Sequence, residues 1–246
     1  MKFLNHFFNH QKHIKTDPGN IFIFSDTTRP NKYNITCKGT NNQITIGQHC
    51  KCNNLSINIS GQNNKIVIGN NLFAPNGALS IVITGDKNTI VLSDDICIYS
   101  RLDVYNHANT IHGNIQIGAH TSFYKTEIHN YDNDATIIIG TDCMFAYNTV
   151  VYNTDGHTIL INDTIMNRAK QTTIGNHVWV AAGAEILKNS TISDGSIVAR
   201  RALVSGTFNE PNCILAGIPA RIIKQNINWD RRHPNEFERE SNAQKI

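Results

Sequence analysis

The sequence predicts an all-β fold in which short strands wind into a solenoid of stacked triangular coils. A repeat of 22 and then 24 residues supports this, because the phrases "GTNNQITIG", "GQNNKIVIG" and "GDKNTIVLS" begin at Gly39, Gly61 and Gly85. Weaker copies end at Gly118 and Gly140. A period in this range is typical of solenoids, in which each repeat packs only on its neighbours.

A shorter repeat of six residues sets the shape of each coil. From residue 174 onward the chain reads "IGNHVW", "VAAGAE", "ILKNST", "ISDGSI", "VARRAL" and "VSGTFN". The first position is always aliphatic: Ile174, Val180, Ile186, Ile192, Val198 and Val204. The fifth is small in all but the last: Val178, Ala184, Ser190, Ser196, Ala202 and Phe208. Six residues do not return to one face of a helix, but they fit a flat strand followed by a corner built on Gly, Asn or Asp.

The register breaks once, near the middle of the chain. It holds through "IGTDCM", "FAYNTV" and "VYNTDG" from Ile139, but the next clean repeat begins 35 residues later, at Ile174. We therefore expect an excursion loop to leave the solenoid after residue 156. The expected organisation is an N-terminal cap segment (1–38), a β-helix domain (39–225) and a short C-terminal tail (226–246).

Composition excludes several classes of protein. The 246 residues are 40% hydrophobic and 17% charged, and the formal net charge of +3 is too small to indicate nucleic-acid binding. No apolar run approaches the roughly 18 residues of a membrane span, and the first residues lack the cleavage site of a signal peptide. The six cysteines form no C-x-x-C pair, so we expect buried thiols in a cytoplasmic protein, without a zinc site or disulfides.

Two segments carry a resemblance to a known family. The phrases "IGNHVWVAAGAEILKNSTISDGSIVARRALV" and "CILAGIPARIIKQNINW" resemble the C-terminal half of the bacterial hexapeptide-repeat acyltransferases. The nearest likeness is to O-acetyltransferases of capsular and surface polysaccharides, including those that act on sialic acid polymers. It implies a left-handed parallel β-helix, acetyl-coenzyme A as acyl donor, and a homotrimer with active sites between subunits. The match is specific from Ile139 to Trp229, and it departs from the family at Val180, Ala181, Arg200 and Arg201.

The same resemblance places the catalytic base on His157, in the phrase "TDGH". Acetyl transfer to a hydroxyl needs a group that accepts the hydroxyl proton, and a neutral imidazole suits that role. A carboxylate bonded to the other ring nitrogen would orient the base, and Asp155 is the candidate, although another strand or subunit can supply that partner. His129, in "EIHNYDND", is the reserve candidate for the base.

A second catalytic residue and a cofactor surface follow from the resemblance. Trp179 must project outward, because the coil interior cannot hold an indole, and the family gives it a role at the acetyl end of coenzyme A. Small residues and backbone groups are expected to line the cofactor groove, and basic side chains to contact its phosphates. The expected residues are Trp179, Ala181, Ala182, Gly183, Lys188, Arg200, Arg201, Ala216, Pro219, Arg221 and Lys224.

The acceptor is expected near the root of the excursion, at Asn153, Arg168 and Lys170. Two positive charges in this loop suit an acidic sugar, but surface solvation is the ordinary role of such side chains. The acceptor itself stays open: a sugar hydroxyl of a polysaccharide is the first choice, and an amino sugar or a small xenobiotic is the alternative within acetyl transfer.

Two other classes of function remain as alternatives. His107 and His112 have a spacing found in γ-type carbonic anhydrases, which hold zinc with three histidines. Only His49 lies upstream as a third ligand, and it is poorly placed, so we expect no metal. A non-catalytic binding solenoid is the other alternative, but it would need neither the "AGIPAR" phrase nor the order of His157 and Trp179.

Overall fold

The computed structural model describes residues 12–28 and 31–243 and contains 24 strands and one helix. The first part of the solenoid comprises β1 (Lys12–Thr16), β2 (Ile21–Phe24), β3 (Lys32–Lys38), β4 (Gln43–Ile46), β5 (Lys51–Ser60), β6 (Lys65–Ile68), β7 (Phe73–Thr84), β8 (Thr89–Leu92), β9 (Cys97–Asn106), β10 (Asn114–Ile117), β11 (Ser122–Asn130), β12 (Thr136–Ile139) and β13 (Met144–Asn153).

The remaining strands are shorter. They are β14 (Leu160–Ile161), β15 (Thr164–Ile165), β16 (Gln171–Ile174), β17 (Trp179–Val180), β18 (Glu185–Leu187), β19 (Thr191–Ile192), β20 (Ile197–Val198), β21 (Leu203–Val204), β22 (Thr207–Phe208), β23 (Ile214–Gly217) and β24 (Ala220–Lys224), followed by α1 (Pro234–Ala243).

The strands form a parallel β-helix. A nine-stranded sheet runs β2-β4-β6-β8-β10-β12-β16-β19-β22 and supplies one side of every coil. The long strands from β5 to β13 bend and supply the other two sides, as register shifts such as the one between Lys125 and Thr126 mark. From β16 onward the sides are separate short strands: β17 pairs with the start of β13 and β18 with its end.

The aliphatic and small positions of the hexads point inward, as the sequence predicts. Ile174, Val180, Ile186, Ile192, Val198 and Val204 are at most 1% exposed. Val178, Ala184, Ser190, Ser196 and Ala202 are equally buried. Corner residues take positive φ angles, and most of them are Asn, Asp or His. At Gly140 an added Cβ would lie 2.6 Å from the carbonyl carbon of Gly175 in the next coil, so that corner requires glycine.

The coils begin earlier than the sequence predicts. β1 pairs with β3, β2 with β4 and β3 with β5, so the described part of the expected cap segment 1–38 continues the two sheets. Residues 1–11 of that segment lie outside the described residues. The predicted excursion is present as an antiparallel hairpin of β14 and β15. The expected tail contains α1, and no described helix is long and apolar enough to cross a membrane.

Two ladders of polar side chains run along the axis inside the coils. In the first, the Nδ2 atoms of Asn42, Asn64 and Asn88 each donate to the Oδ1 atom of the asparagine one coil earlier, at 3.0, 2.9 and 3.1 Å. A second ladder links four side chains at 2.9–3.0 Å: Asn106, Asn130, Asn153 and Thr172. Buried amides need such partners, so these corners specify one another.

The cysteines fill the core, as expected. All six are free thiols, and only Cys97 is not fully buried. Burial raises the pKa of Cys143 to about 12 and that of Cys52 to about 11, although backbone hydrogen bonds oppose the shift. These thiols therefore stay protonated at neutral pH and do not act as nucleophiles.

Candidate active site

The excursion leaves the coils between the last two members of the second ladder, Asn153 and Thr172. Asn153, the last residue of β13, is fully buried and bonds Asn130, Thr136 and Thr172. Its expected contact with the acceptor therefore does not fit the structure, because its amide belongs to the interior. Four residues later His157 lies on the surface with an exposed side chain. Its carbonyl oxygen accepts a hydrogen bond from the Nδ2 atom of Asn167, 2.7 Å away.

Asp155 does not hold the imidazole of His157 in this chain. Its Oδ2 atom lies 2.8 Å from Nζ of Lys188 and 2.9 Å from Nδ2 of Asn167. Burial favours a higher pKa for this carboxyl, but the hydrogen bonds from Lys188 and Asn167 outweigh it and lower the pKa. Lys188, expected at the cofactor phosphates, is thus paired with Asp155.

Trp179 projects outward, as the sequence predicts. It is the first residue of β17 and is only partly buried, whereas its neighbours Val178 and Val180 are fully buried. Its ring centroid is 6.1 Å from that of Trp229, with an angle of 48° between the ring planes. Trp229 comes from the C-terminal segment, so the tail lies against the outer face beside Trp179.

In chain order, the side formed by β16 lies between the root of the excursion that carries His157 and the strand that carries Trp179. The excursion enters β16 at Gln171, and Trp179 follows the corner after Ile174. The two residues therefore lie towards opposite ends of one side of the triangle. A four-residue strand spans about 13 Å at the usual rise per residue.

Most of the expected cofactor residues gather on consecutive coils. The corner from Ala181 to Gly183 stacks against the corner of Arg200 and Arg201 in the next coil. The backbone N of Arg201 donates to the carbonyl of Ala182 at 3.1 Å. An added Cβ on Gly183 would lie 3.3 Å from Cγ of Arg201, so the arginine stem covers the glycine. Both guanidinium groups belong to exposed residues.

The hairpin of β23 and β24 extends this surface. β23 pairs with β20, and the backbone N of Ala199 donates to the carbonyl of Leu215 at 2.8 Å. Ala216 follows Leu215 on β23, while Pro219, Arg221 and Lys224 are exposed around the turn and on β24. With the exception of Lys188, the expected cofactor residues thus share one region of the late coils.

The reserve base His129 is a buried structural residue. Its ring stacks between those of Tyr105 and Tyr152, at centroid distances of 4.8 and 4.6 Å. Nδ1 lies 2.6 Å from the hydroxyl of Tyr131, and Nε2 lies 3.1 Å from Oε2 of Glu127. Burial lowers the pKa of His129, which favours the neutral ring that a base needs. Only 9% of the side chain is exposed, however. An acceptor hydroxyl cannot reach it.

The excursion presents both charge and apolar surface. Arg168 and Lys170 are exposed, as the expected contact with an acidic acceptor requires. Five apolar side chains of the hairpin are 43–56% exposed: Ile159, Leu160, Ile161, Ile165 and Met166. Exposed apolar clusters of this kind mark contact surfaces.

A third group of surface residues was not expected from the sequence. Tyr99, Tyr124 and Tyr147 stack along the axis, with centroid distances of 4.7 and 4.5 Å. The backbone N of Gly183 donates to the carbonyl of Tyr147 at 2.9 Å, so this column leads into the corner of the expected cofactor residues. Spacings of 25 and 23 residues, outside the clean hexads, hid it from the sequence pattern.

The histidines of the carbonic-anhydrase alternative do not converge. Nδ1 of His112 lies 3.2 Å from Oδ1 of Asp134, whereas His107 contacts the ring of Tyr131 at 5.8 Å. Within residues 12–28 and 31–243, no three His, Cys, Asp or Glu side chains are grouped so that they can hold a metal ion.

Known proteins resemble this chain in sequence and in fold. No family model matches the chain. A polysialic acid O-acetyltransferase of Neisseria meningitidis is 34% identical over 226 residues, which are 89% of this chain and 91% of that protein. The crystal structure of the polySia-specific acetyltransferase NeuO has a TM-score of 0.67 at 23% identity and covers 96% of this chain and 98% of its own.

A second crystal structure, that of the polysialic acid O-acetyltransferase OatWY, has a TM-score of 0.55 at 25% identity. It covers 96% of this chain and 100% of its own. These structures confirm that the fold is a left-handed parallel β-helix.

Proposed function

We propose, from the premise that this chain belongs to the polysialic acid O-acetyltransferase family of hexapeptide-repeat enzymes, that it acetylates a hydroxyl group of a sialic acid capsular polysaccharide. The chain is an acetyltransferase, and acetyl-coenzyme A is its proposed acyl donor. The observation that carries the assignment is an exposed His157 at the root of an excursion, on a chain that matches its relative over 226 residues. Arg168 and Lys170 on the same excursion suit a polymer of acidic sugars.

His157 acts as general base in the proposed reaction. As the acceptor oxygen attacks the carbonyl carbon of the thioester, its proton passes to a ring nitrogen of His157. The carbon–sulfur bond then breaks, and the protonated imidazole returns the proton to the departing thiolate. The indole of Trp179 contacts the acetyl end of the donor, where its N–H can stabilise the developing oxyanion.

The donor lies along the late coils in this proposal. Ala181, Ala182, Gly183, Ala216 and Pro219 leave room for the pantetheine arm. Arg200, Arg201, Arg221 and Lys224 are exposed nearby and serve the phosphates through charge-assisted hydrogen bonds. The cytoplasm is the proposed compartment, because acetyl-coenzyme A is made there and the buried thiols need no oxidising environment.

A homotrimer completes the site. His157 and Trp179 lie at opposite ends of the side formed by β16, so the proposed site combines His157 of one subunit with Trp179 of the next. The apolar hairpin of β14 and β15 supplies the contact, since its five exposed side chains would be buried against a neighbour.

Replacement of the base tests the assignment. The variant His157→Gln should lose at least about 10²-fold in turnover, because no base then accepts the proton of the sugar hydroxyl in the transition state. Transfer of labelled acetyl groups from acetyl-coenzyme A to polysialic acid measures this loss. The matched control, His49→Gln, replaces an exposed corner histidine on an early coil and should keep normal turnover.

Two outcomes would contradict the proposal. Near-normal turnover of His157→Gln would remove the histidine from the chemistry. Labelling of an amino sugar or a small xenobiotic, with none on any polysaccharide of a bacterial panel, would replace the proposed acceptor while leaving acetyl transfer in place.

A further inference from the structure

A lysine of the following coil ties down the root of the excursion. Lys188 follows β18, and its Nζ atom lies 2.8 Å from Oδ2 of Asp155 and 2.8 Å from the carbonyl oxygen of Asn167. Asp155 stands two residues before His157, and Asn167 lies ten residues after it. One ammonium group therefore binds both arms of the excursion.

Asn167 closes the excursion from within. Its Nδ2 atom donates to Oδ2 of Asp155 at 2.9 Å and to the carbonyl of His157 at 2.7 Å, while its Oδ1 atom accepts from the backbone N of Ile159 at 2.9 Å. The backbone is thus bonded at His157 and two residues beyond it. Such bonds fix where the His157 side chain leaves the surface.

The ion pair is only partly exposed to solvent. The side chain of Lys188 is 20% exposed and that of Asp155 is 33% exposed. Partly buried charges are screened less than fully exposed ones, and both partners make further hydrogen bonds. The ammonium group of Lys188 contacts two oxygens, and both belong to the excursion.

We propose that Lys188, Asp155 and Asn167 form an excursion latch, a set of positioning residues that hold the backbone of His157 where the acceptor proton is transferred. This inference rests on the proposed role of His157 as general base. The sequence predicts that Lys188 contacts a phosphate of coenzyme A and that Asp155 contacts the imidazole of His157. In the latch, the two side chains bind each other instead.

Steady-state kinetics separate these roles of Lys188. The variant Lys188→Met should lower kcat by about tenfold or more, because a small displacement of a catalytic group is enough for such a loss. Its KM for acetyl-coenzyme A should stay unchanged. Lys188→Arg keeps the charge and two donors and should restore most of kcat. Lys65→Met, on an exposed position of β6, is the matched control.

Limited digestion with trypsin reports on the latch without reference to activity. Arg168 is exposed and lies next to Asn167, so release of the latch should expose the peptide bond after it. Lys188→Met and Asn167→Ala should both be cut there faster than the unsubstituted protein, by about tenfold or more if the closed state normally dominates. His157→Gln should be cut at the unsubstituted rate.

The outcomes distinguish the latch from the proposed function. A raised KM for acetyl-coenzyme A with unchanged kcat and unchanged cutting of Lys188→Met would contradict the latch and make Lys188 a phosphate ligand. Full turnover and unchanged cutting of both latch variants, with His157→Gln inactive, would contradict the latch alone. Full turnover of His157→Gln would contradict the proposed function, whatever the trypsin result.

Discussion

Asp142 is one of the residues that join the C-terminal tail to the solenoid, together with Ser122 and the carbonyl of Cys143, which bond Arg231. Its Oδ2 atom lies 2.6 Å from Nδ1 of His177, and its Oδ1 atom accepts from Nε of Arg231 at 2.9 Å. Trp229 stacks on His177 with a centroid distance of 4.0 Å and donates its indole N–H to the carbonyl of His177 at 2.9 Å. These contacts hold Trp229 beside Trp179, in the proposed donor site.

Acid should weaken the attachment of the tail through this carboxylate. Burial favours a higher pKa for Asp142, but hydrogen bonds from His177 and Arg231 outweigh it and lower the pKa below the ordinary value. Because the folded pKa is depressed, the stabilisation is complete above the ordinary carboxyl pKa of about 3.9 and is lost as the pH falls through the lower folded value.

Tryptophan fluorescence measures this weakening. In Trp179→Phe only Trp229 emits, since the chain has 2 tryptophans, and its emission should shift to the red in acid. Asp142→Asn in the same background should show the red-shifted spectrum at neutral pH. An unshifted spectrum in that variant would contradict the role of Asp142.

Residue roles at the excursion illustrate what a sequence can and cannot reveal. The phrase "TDGH" and the 35-residue gap predict where the excursion leaves the coil. The partner of Asp155 was not predictable, because Lys188 lies 33 positions away in sequence and approaches only when the coils stack. A lysine near a cofactor phrase is indistinguishable, in sequence, from a phosphate ligand.

At the scale of elements, the asparagine ladders hold the early coils in register. Oδ1 of Asn64 accepts from both the backbone N and Nδ2 of Asn88, and its Nδ2 atom also donates to the carbonyl of Gly85. Asn64 and Asn88 are buried, so water does not replace a lost partner of their amides. The ladder therefore specifies which coil follows which.

Truncation of one rung should be costly. Asn64→Ala leaves two buried donors of Asn88 without their acceptor, which should lower the free energy of unfolding by about 2 kcal/mol or more at 1–3 kcal/mol per group. Denaturant unfolding at equal protein concentration measures this. Asn54→Ala, an exposed asparagine on β5, should change stability little, and equal stability of the two variants would contradict the role of the ladder.

The elements were predictable where the six-residue repeat is clean. From Ile174 onward the inward positions follow the hexads, because each side there is a short strand between tight corners. Earlier coils instead use bent strands of 9–12 residues and longer corners. The ladder asparagines of these coils are 22 and 24 residues apart. The six-residue pattern therefore predicts neither the limits of these strands nor the start of the solenoid before residue 39.

At the scale of the whole molecule, the solenoid separates the two proposed catalytic groups. His157 leaves one corner and Trp179 follows another, with β16 between them. Backbone hydrogen bonds fix β16 to its neighbours in the sheet, so the excursion and Trp179 start from different corners of the coil. Rotation about a three-fold axis can place a corner of one subunit against a different corner of the next.

Subunit mixing tests whether the active site is shared between subunits. His157→Gln and Trp179→Ala are each expected to be nearly inactive, but a trimer that contains both variants has one junction with an intact His157 facing an intact Trp179. Co-assembly of equal amounts should therefore restore about a quarter of the unsubstituted activity, since random mixing gives three mixed trimers in four, each with one active site in three. Activity no higher than the sum of the separate variants would contradict a site shared between subunits.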